Sequence, residues 1–383
     1  MNVNGRNWVI SGGQAVRGDH ISAEPVVIVD GCFVDAAPVD ARAFDADGLT
    51  LAPGVIDVHG DGFERNLSPR PNVHFDLDTA ILETDRQLIS NGITTAYLAL
   101  TVSWEPGLRS LEMGRKVVAA LQRLRPNLSC DIRLQLRWEI FALEAADQIA
   151  EWLTLDPTPT LAFNDHFVGM RDGKRMVHKL GQYASRAGLS EDEYKALMDE
   201  VASREGEVPI AVARLAAAAQ KLGVICFAHD EETVAARREN RSMGITVSEF
   251  PLAEETARDA VNAGEHTILG APNVMRGGSH VGAMDAGPAV KAGLCTVLAS
   301  DYYFPAPLSA VLKLSEGVDD LPRFWPVVAG NAAAACGLND RGTISAGRRA
   351  DLVAFRNTAA GPVVEAVFCG GTPSFIRDAA RVL

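Results

Sequence analysis

The sequence predicts an α/β protein, a (β/α)₈ barrel with a small β-structure built from both chain ends. Three observations carry this. Short apolar, β-branched runs alternate with helix-like segments through the middle of the chain, both ends read as short strands, and ionisable side chains recur where the central runs end.

Residues 1–52 hold strand-like runs at Trp8–Ser11, Pro25–Asp30 and Cys32–Val34, broken by Gly, Asp and Pro. Residues 340–383 repeat the pattern at Asp351–Phe355 and Val363–Cys369, with turns at Gly347 and Gly370-Gly371. Neither piece has enough apolar residues to fold alone, so the two ends are expected to pair into one small sheet beside the barrel. The barrel itself spans 53–339. Its predicted strands are Val55–His59, Ile93–Leu100, Ile132–Ile140, Thr160–Asn164, Val224–His229, Ile245–Phe250, Thr267–Pro272 and Cys295–Asp301. Helices are expected between most of them, for example Glu231–Met243 closed by Gly244, and Pro251–Ala263 stopped at Gly264. A charged helical insertion over about 167–222 follows the fourth strand, in the place of a lid.

A chain of 383 residues, 47% hydrophobic and 22% charged, buries a full core. Its net charge of -13 argues against a nucleic-acid or anionic-membrane partner. An anionic substrate would need a local basic island. Six cysteines lie scattered without a CxxC pair, and no window resembles a signal peptide or a membrane span. A cytoplasmic protein with reduced thiols is the expectation, and homo-oligomerisation is compatible with it.

The chemistry centres on PGVIDVHGDGFE, residues 53–64. Residues two apart in a strand share a face, so His59 and Asp61 project together from the end of the first strand. Glu139, His166, His229 and Asp301 stand at the ends of the third, fourth, fifth and eighth predicted strands. Singly each has a plainer reading: His166 as a loop hydrogen-bonder, His229 as a strand-end residue, Asp301 as a helix N-cap. Together at one end of a barrel they form a ligand set for two divalent ions, with Glu139 placed to bridge them. Zinc suits mixed His and carboxylate ligands, as do manganese and iron. Two such ions would share a water and lower its pKa, and Asp301 would take its proton as general base. His20, His74, His178 and His266 are left as surface or packing residues.

The stretch Asn273–His280, NVMRGGSH, is read as a loop after the seventh strand, where barrels often bind phosphate. Gly277 and Gly278 would close backbone N–H groups on phosphate oxygens, Arg276 would supply charge, and Asn273, Ser279 and His280 complete the string. The plain alternative is a Gly-Gly turn. Arg65, Arg70, Arg137, Arg171, Lys174 and Arg175 are further basic candidates around the barrel mouth. No GxxxxGK[ST] string occurs.

With these residues assembled, the chain resembles the amidohydrolase superfamily through PGVIDVHGDG, the strand-end histidines, the Ser-Asp at 300–301 and ISAGRRADLVAF at 344–355. More narrowly it is similar to the phosphonate-metabolism branch, through HGDGFERNLSPRP, FNDH, AHDEET, SEFP, GAPNVMRGGSH and SDYY. The resemblance implies a small β-sandwich from the two ends and places His59, Asp61, Glu139, His166, His229 and Asp301 on metal positions. It also implies a small anionic substrate: pyrophosphate would be released from a ribose 1-alkylphosphonate 5-triphosphate. Amide or cyclic-amide hydrolysis is the alternative, and an inactive scaffold the third. The chain departs from the pattern in His-Gly-Asp at 59–61 in place of HxH, in FVGMRDGKRM after His166, and in Trp138 between Arg137 and Glu139. Two ligand histidines also fall one strand early, which a further strand within 101–130 or 167–222 would explain.

Overall fold

Eight parallel strands form the centre of the protein: β1 (Val55–Gly60), β2 (Ile93–Val102), β3 (Asp131–Glu139), β4 (Thr160–Asn164), β5 (Cys226–His229), β6 (Val247–Glu249), β7 (His266–Gly270) and β8 (Val297–Ala299). The computed structural model describes residues 7–70, 73–171, 175–278 and 284–383. Each strand falls on a run expected from the sequence. Neighbours in sequence are neighbours in the sheet, and a parallel bridge between Gly60 and Asp301 joins β1 to the end of β8. That seam is tied by Asp301 N–H to the His59 carbonyl and Asp61 N–H to the Asp301 carbonyl, both 2.9 Å. The barrel is therefore complete with eight strands, and no further barrel strand lies within 101–130 or 167–222 among the described residues.

Ile56, Val58, Tyr97, Phe227, Ile268 and Val297 fill the interior together with Ala332 and Ala333 of the helix Gly330–Ala335. A packed interior leaves the carboxyl rim as the place for chemistry. In-register pairing sets Glu139 beside Asn164 and His229 beside Glu249, so these side chains share that rim.

The helix predicted from Glu231 begins at Val234 instead. Glu231 is buried and accepts hydrogen bonds from Arg237, Asn240 and Ser248, while Thr233 caps the helix by accepting the Ala236 N–H at 3.2 Å. A carboxylate with three side-chain donors is better satisfied there than in a first helical turn. The next helix, Glu254–Asn262, ends as expected at Gly264, whose φ of 78° suits glycine.

The two ends of the chain form two sheets, not the single one expected. One is four-stranded and uses only amino-terminal residues (Trp8–Ser11, Val26–Val29, Cys32–Val34, Arg42–Asp45). The other is six-stranded and joins the ends by pairing Thr50–Pro53 with Leu352–Thr358. Trp8, Ile10, Ile28 and Phe44 share a core with Leu352 and Phe368. A lone sheet would leave such an apolar face in water, and packing two as a sandwich buries it. All six cysteines are free thiols.

The insertion after β4 consists of the helices Phe167–Arg171, Arg175–Ala187, Glu191–Ser203 and Val208–Leu222. Ser190 and Glu193 form a reciprocal capping box at the start of the third. Trp104, in the loop after β2, anchors the insertion, with Phe167 at 5.5 Å and Tyr194 at 5.7 Å between ring centroids.

Candidate metal centre

The innermost group of the rim is a carboxylate that the sequence reading did not select. Glu249, fully buried at the end of β6, faces His59 Nδ1 with Oε1 at 2.9 Å and His229 Nδ1 with Oε2 at 2.7 Å. Gln135 donates to the same Oε1 at 2.7 Å. Burial raises the Glu249 carboxyl, but the two imidazoles outweigh it and hold it well below the usual carboxylate range. Because the carboxylate can only accept, both rings donate Nδ1–H to Glu249, which leaves the in-plane lone pair of each on Nε2.

Among the described residues, three groups bring metal-competent atoms within 4.8 Å of one another: His59, His229 and Glu249; His59, Asp61 and Asp301; and His166, His229 and Asp230. Asp301 and Asp230 both sit just past a strand end with left-handed backbone, φ 56° and 55°. Aspartate tolerates that conformation better than most residues, and here it accompanies a place in a donor group. Burial, and then the Asp61 carboxylate, push Asp301 up to about 6. Burial also raises Asp230, yet His229 and His166 outweigh it and bring it down to about 2.

Five of the six residues expected as ligands, His59, Asp61, His166, His229 and Asp301, fall in these groups. Glu139, expected to bridge two ions, lies outside these three groups. Its Oε1 meets His166 Nδ1 at 2.6 Å and its Oε2 accepts the His166 N–H at 3.2 Å, so it orients one histidine from a buried position. The carboxylate standing between two histidines is Glu249. Asp230, which follows His229 directly, was also not singled out from the sequence. The remaining histidines that can be placed lie elsewhere: His20 is on an exposed terminal strand, His74 is exposed, and His266 contacts Thr296.

No family model matches the chain. Among curated proteins, the α-D-ribose 1-methylphosphonate 5-triphosphate diphosphatase of Escherichia coli (strain K12) is 29% identical over 360 residues, covering 91% of each chain. The chain resembles that diphosphatase over nearly its whole length. The fold agrees with crystal structures of an amidohydrolase (TM-score 0.65, 14% identity, 97% of this chain and 100% of that one) and of an adenosine deaminase from Xanthomonas campestris with bound zinc (TM-score 0.62, 11%, 97% and 93%).

In this barrel the expected phosphate loop begins as a helix. Ala271–Arg276 is helical, and Gly277 caps it with φ 78°. The N–H groups of Gly277 and Gly278 both donate to the Asn273 carbonyl at 3.0 Å, so they terminate the helix and do not form the expected cradle. Arg276 and Arg70 are exposed, and Arg171 pairs with Glu205 at 2.9 Å. Ser279, His280 and Lys174 lie outside the described residues. Asn273 does line a cavity of about 170 Å³ with His59, Asp61, Arg137, His229 and Asp301. Trp138 is a core residue whose indole donates to the Ala142 carbonyl at 2.9 Å, so this departure does not face substrate.

A second cavity, about 1140 Å³, opens beside His166, His229 and Asp230 and is walled by Met170, Tyr183 and Val212 of the insertion. Glu105, Glu139, Asp165, Asp230, Glu231 and Glu232 line it. Its arginine, Arg109, is engaged by both oxygens of Glu64 at 3.1 and 2.8 Å.

Proposed function

We propose that the chain is a cytoplasmic, divalent-metal-dependent diphosphatase that releases pyrophosphate from a ribose 1-alkylphosphonate 5-triphosphate. The observation that carries this reading is the 29% identity to the E. coli diphosphatase, maintained over 91% of both chains. The donor chemistry fits divalent cations: imidazoles pre-set by buried carboxylates, converging with Asp61, Asp230 and Asp301. Zinc suits this mixture, with manganese and iron next. Ions bound there supply Lewis acidity and acidify water near neutral pH.

The chain's own residues do the rest. Asp301 takes one proton from the attacking water as the water oxygen bonds to the α-phosphorus. The bond from that phosphorus to the α,β-bridging oxygen breaks, the electron pair leaves with pyrophosphate, and the ribose 5-phosphate remains. Glu249 and Glu139 keep His59, His229 and His166 in the orientations the donors need. Asn273 and Arg276 are the candidates for triphosphate contact on the β7 side. Among the described residues no helix is long and apolar enough to cross a membrane.

A second reading is favoured by one observation. Six carboxylates and an already engaged arginine make the large cavity a poor host for bare triphosphate and a better one for a neutral or cationic amide or cyclic amide. Phosphorus NMR on metal-loaded protein with the phosphonate ribose triphosphate, beside an assay of N-acyl and cyclic-amide compounds, separates the two. Pyrophosphate release is the expected result; C–N cleavage without any phosphorus change would move the chain to the second reading.

A further inference from the structure

We propose that the Arg137 guanidinium fills the cation position beside His229, so that the centre takes one divalent ion where the donors alone would admit two. This rests on the metal-dependent reading above. The Arg137 side chain projects from β3 into the centre and is 5% exposed. Nη2 lies 3.2 Å from His229 Nε2, and Nη1 lies 3.7 Å from Asp61 Oδ2. With the Asn164 amide turned to face it, that side-chain oxygen accepts from Nε and Nη2, both at 3.0 Å. Most of its N–H donors thus point at protein acceptors, which sets it apart from an arginine waiting for substrate phosphate.

A single lone pair on His229 decides which cation can sit there. His229 Nδ1 faces Glu249 Oε2 at 2.7 Å, a carboxylate that can only accept, so Nδ1 carries the proton and Nε2 carries the in-plane lone pair. Arg137 donates to that lone pair. An ion held by His166, His229 and Asp230 needs the same lone pair, because Nε2 is the His229 atom that faces Asp230, at 3.7 Å. An imidazole nitrogen cannot accept an N–H and bind a metal at once. The group of His59, Asp61 and Asp301 is free of this conflict, since Arg137 touches only Asp61 there, beyond hydrogen-bond length. One ion at that group and a fixed guanidinium beside it supply two positive centres, one of them part of the chain.

The test is metal stoichiometry, read apart from activity. Wild type, Arg137→Lys and Arg137→Met are loaded with manganese, dialysed, and measured by elemental analysis and electron paramagnetic resonance. The expected result is one ion per folded chain with an isolated-ion spectrum in wild type and Arg137→Lys, and two ions with a spin-coupled spectrum in Arg137→Met. Two ions in wild type, or a single ion persisting in folded Arg137→Met, overturns the proposal and leaves the metal-dependent reading standing. Absence of bound manganese, and of zinc in a parallel loading, from all three proteins overturns both. If Arg137→Met fails to fold, the wild-type and Arg137→Lys counts decide.

Discussion

Ser300 reaches across the seam of the barrel to Asp57, donating its backbone N–H to Oδ1 at 2.8 Å and its hydroxyl to Oδ2 at 2.5 Å. Both residues are fully buried, and each lies within two positions of a proposed metal residue, His59 or Asp301. Burial raises the Asp57 carboxyl, against the pull of the Ser300 donors. Removing the hydroxyl in Ser300→Ala leaves a buried carboxylate oxygen without its donor, at a cost of about 1–3 kcal/mol. Urea unfolding measures it, and an unchanged midpoint would show that the seam does not depend on this pair.

Gly60 sits against the same pair. A Cβ there would stand 2.6 Å from Asp57 Oδ2, 3.0 Å from Ser300 Oγ and 3.2 Å from the Phe304 ring. Those groups are buried and tied to each other, so Gly60→Ala is expected to destabilise by about 1–3 kcal/mol through overpacking. Thermal or urea unfolding reads the loss; wild-type stability in this variant would mean the seam can open to admit a methyl group.

Glu249→Gln keeps the shape of the side chain but offers one acceptor where two imidazole N–H groups need one each. Metal affinity is expected to fall about 10–100-fold, the usual effect of losing a group that orients histidine ligands. Competition against a chelator of known affinity measures it. Unaltered affinity would mean His59 and His229 are held by something other than this carboxylate.

Asp131 gives the pH dependence. Burial raises its carboxyl, but Arg133 at 3.0 Å and Arg341 at 2.7 Å outweigh it, and the folded value lies below the ordinary one. A depressed carboxyl stabilises the fold above its unfolded pKa of about 3.9 and loses that contribution as pH falls through the folded value. Asp131→Asn should therefore be less stable than wild type at neutral pH, with the gap closing in acid below about pH 4. Paired denaturant titrations check this; a gap that widens in acid contradicts it.

The strands of the barrel were legible because β-branched runs such as Val55–His59 and Thr160–Asn164 are local signals, and local signals survive tertiary packing. Most of the donors were legible for the same reason: they end those runs. What the sequence hid was relational. Glu249 lies at the end of a three-residue strand in SEFP and becomes central only because register sets it beside His229 and barrel closure brings His59 to its other oxygen. Gly277 and Gly278 carry the composition of a phosphate loop, yet Ala-Pro at the start of Ala271–Arg276 initiates a helix that consumes their N–H groups. The two terminal sheets share one core, while Val353, Phe355 and Val367 of the six-stranded sheet turn into the barrel's core instead, a partition invisible in either end alone.

In the proposed reaction Asp301 serves as proton acceptor in a metal-dependent release of pyrophosphate. The most direct test follows pyrophosphate by phosphorus NMR with the phosphonate ribose triphosphate, in wild type and in Asp301→Asn matched for bound metal. The expected result is release by wild type that stops when a chelator strips the metal, and a rate lower by about 10²–10⁴-fold in the variant. Equal rates in the two proteins, or release that persists without divalent metal, would contradict it.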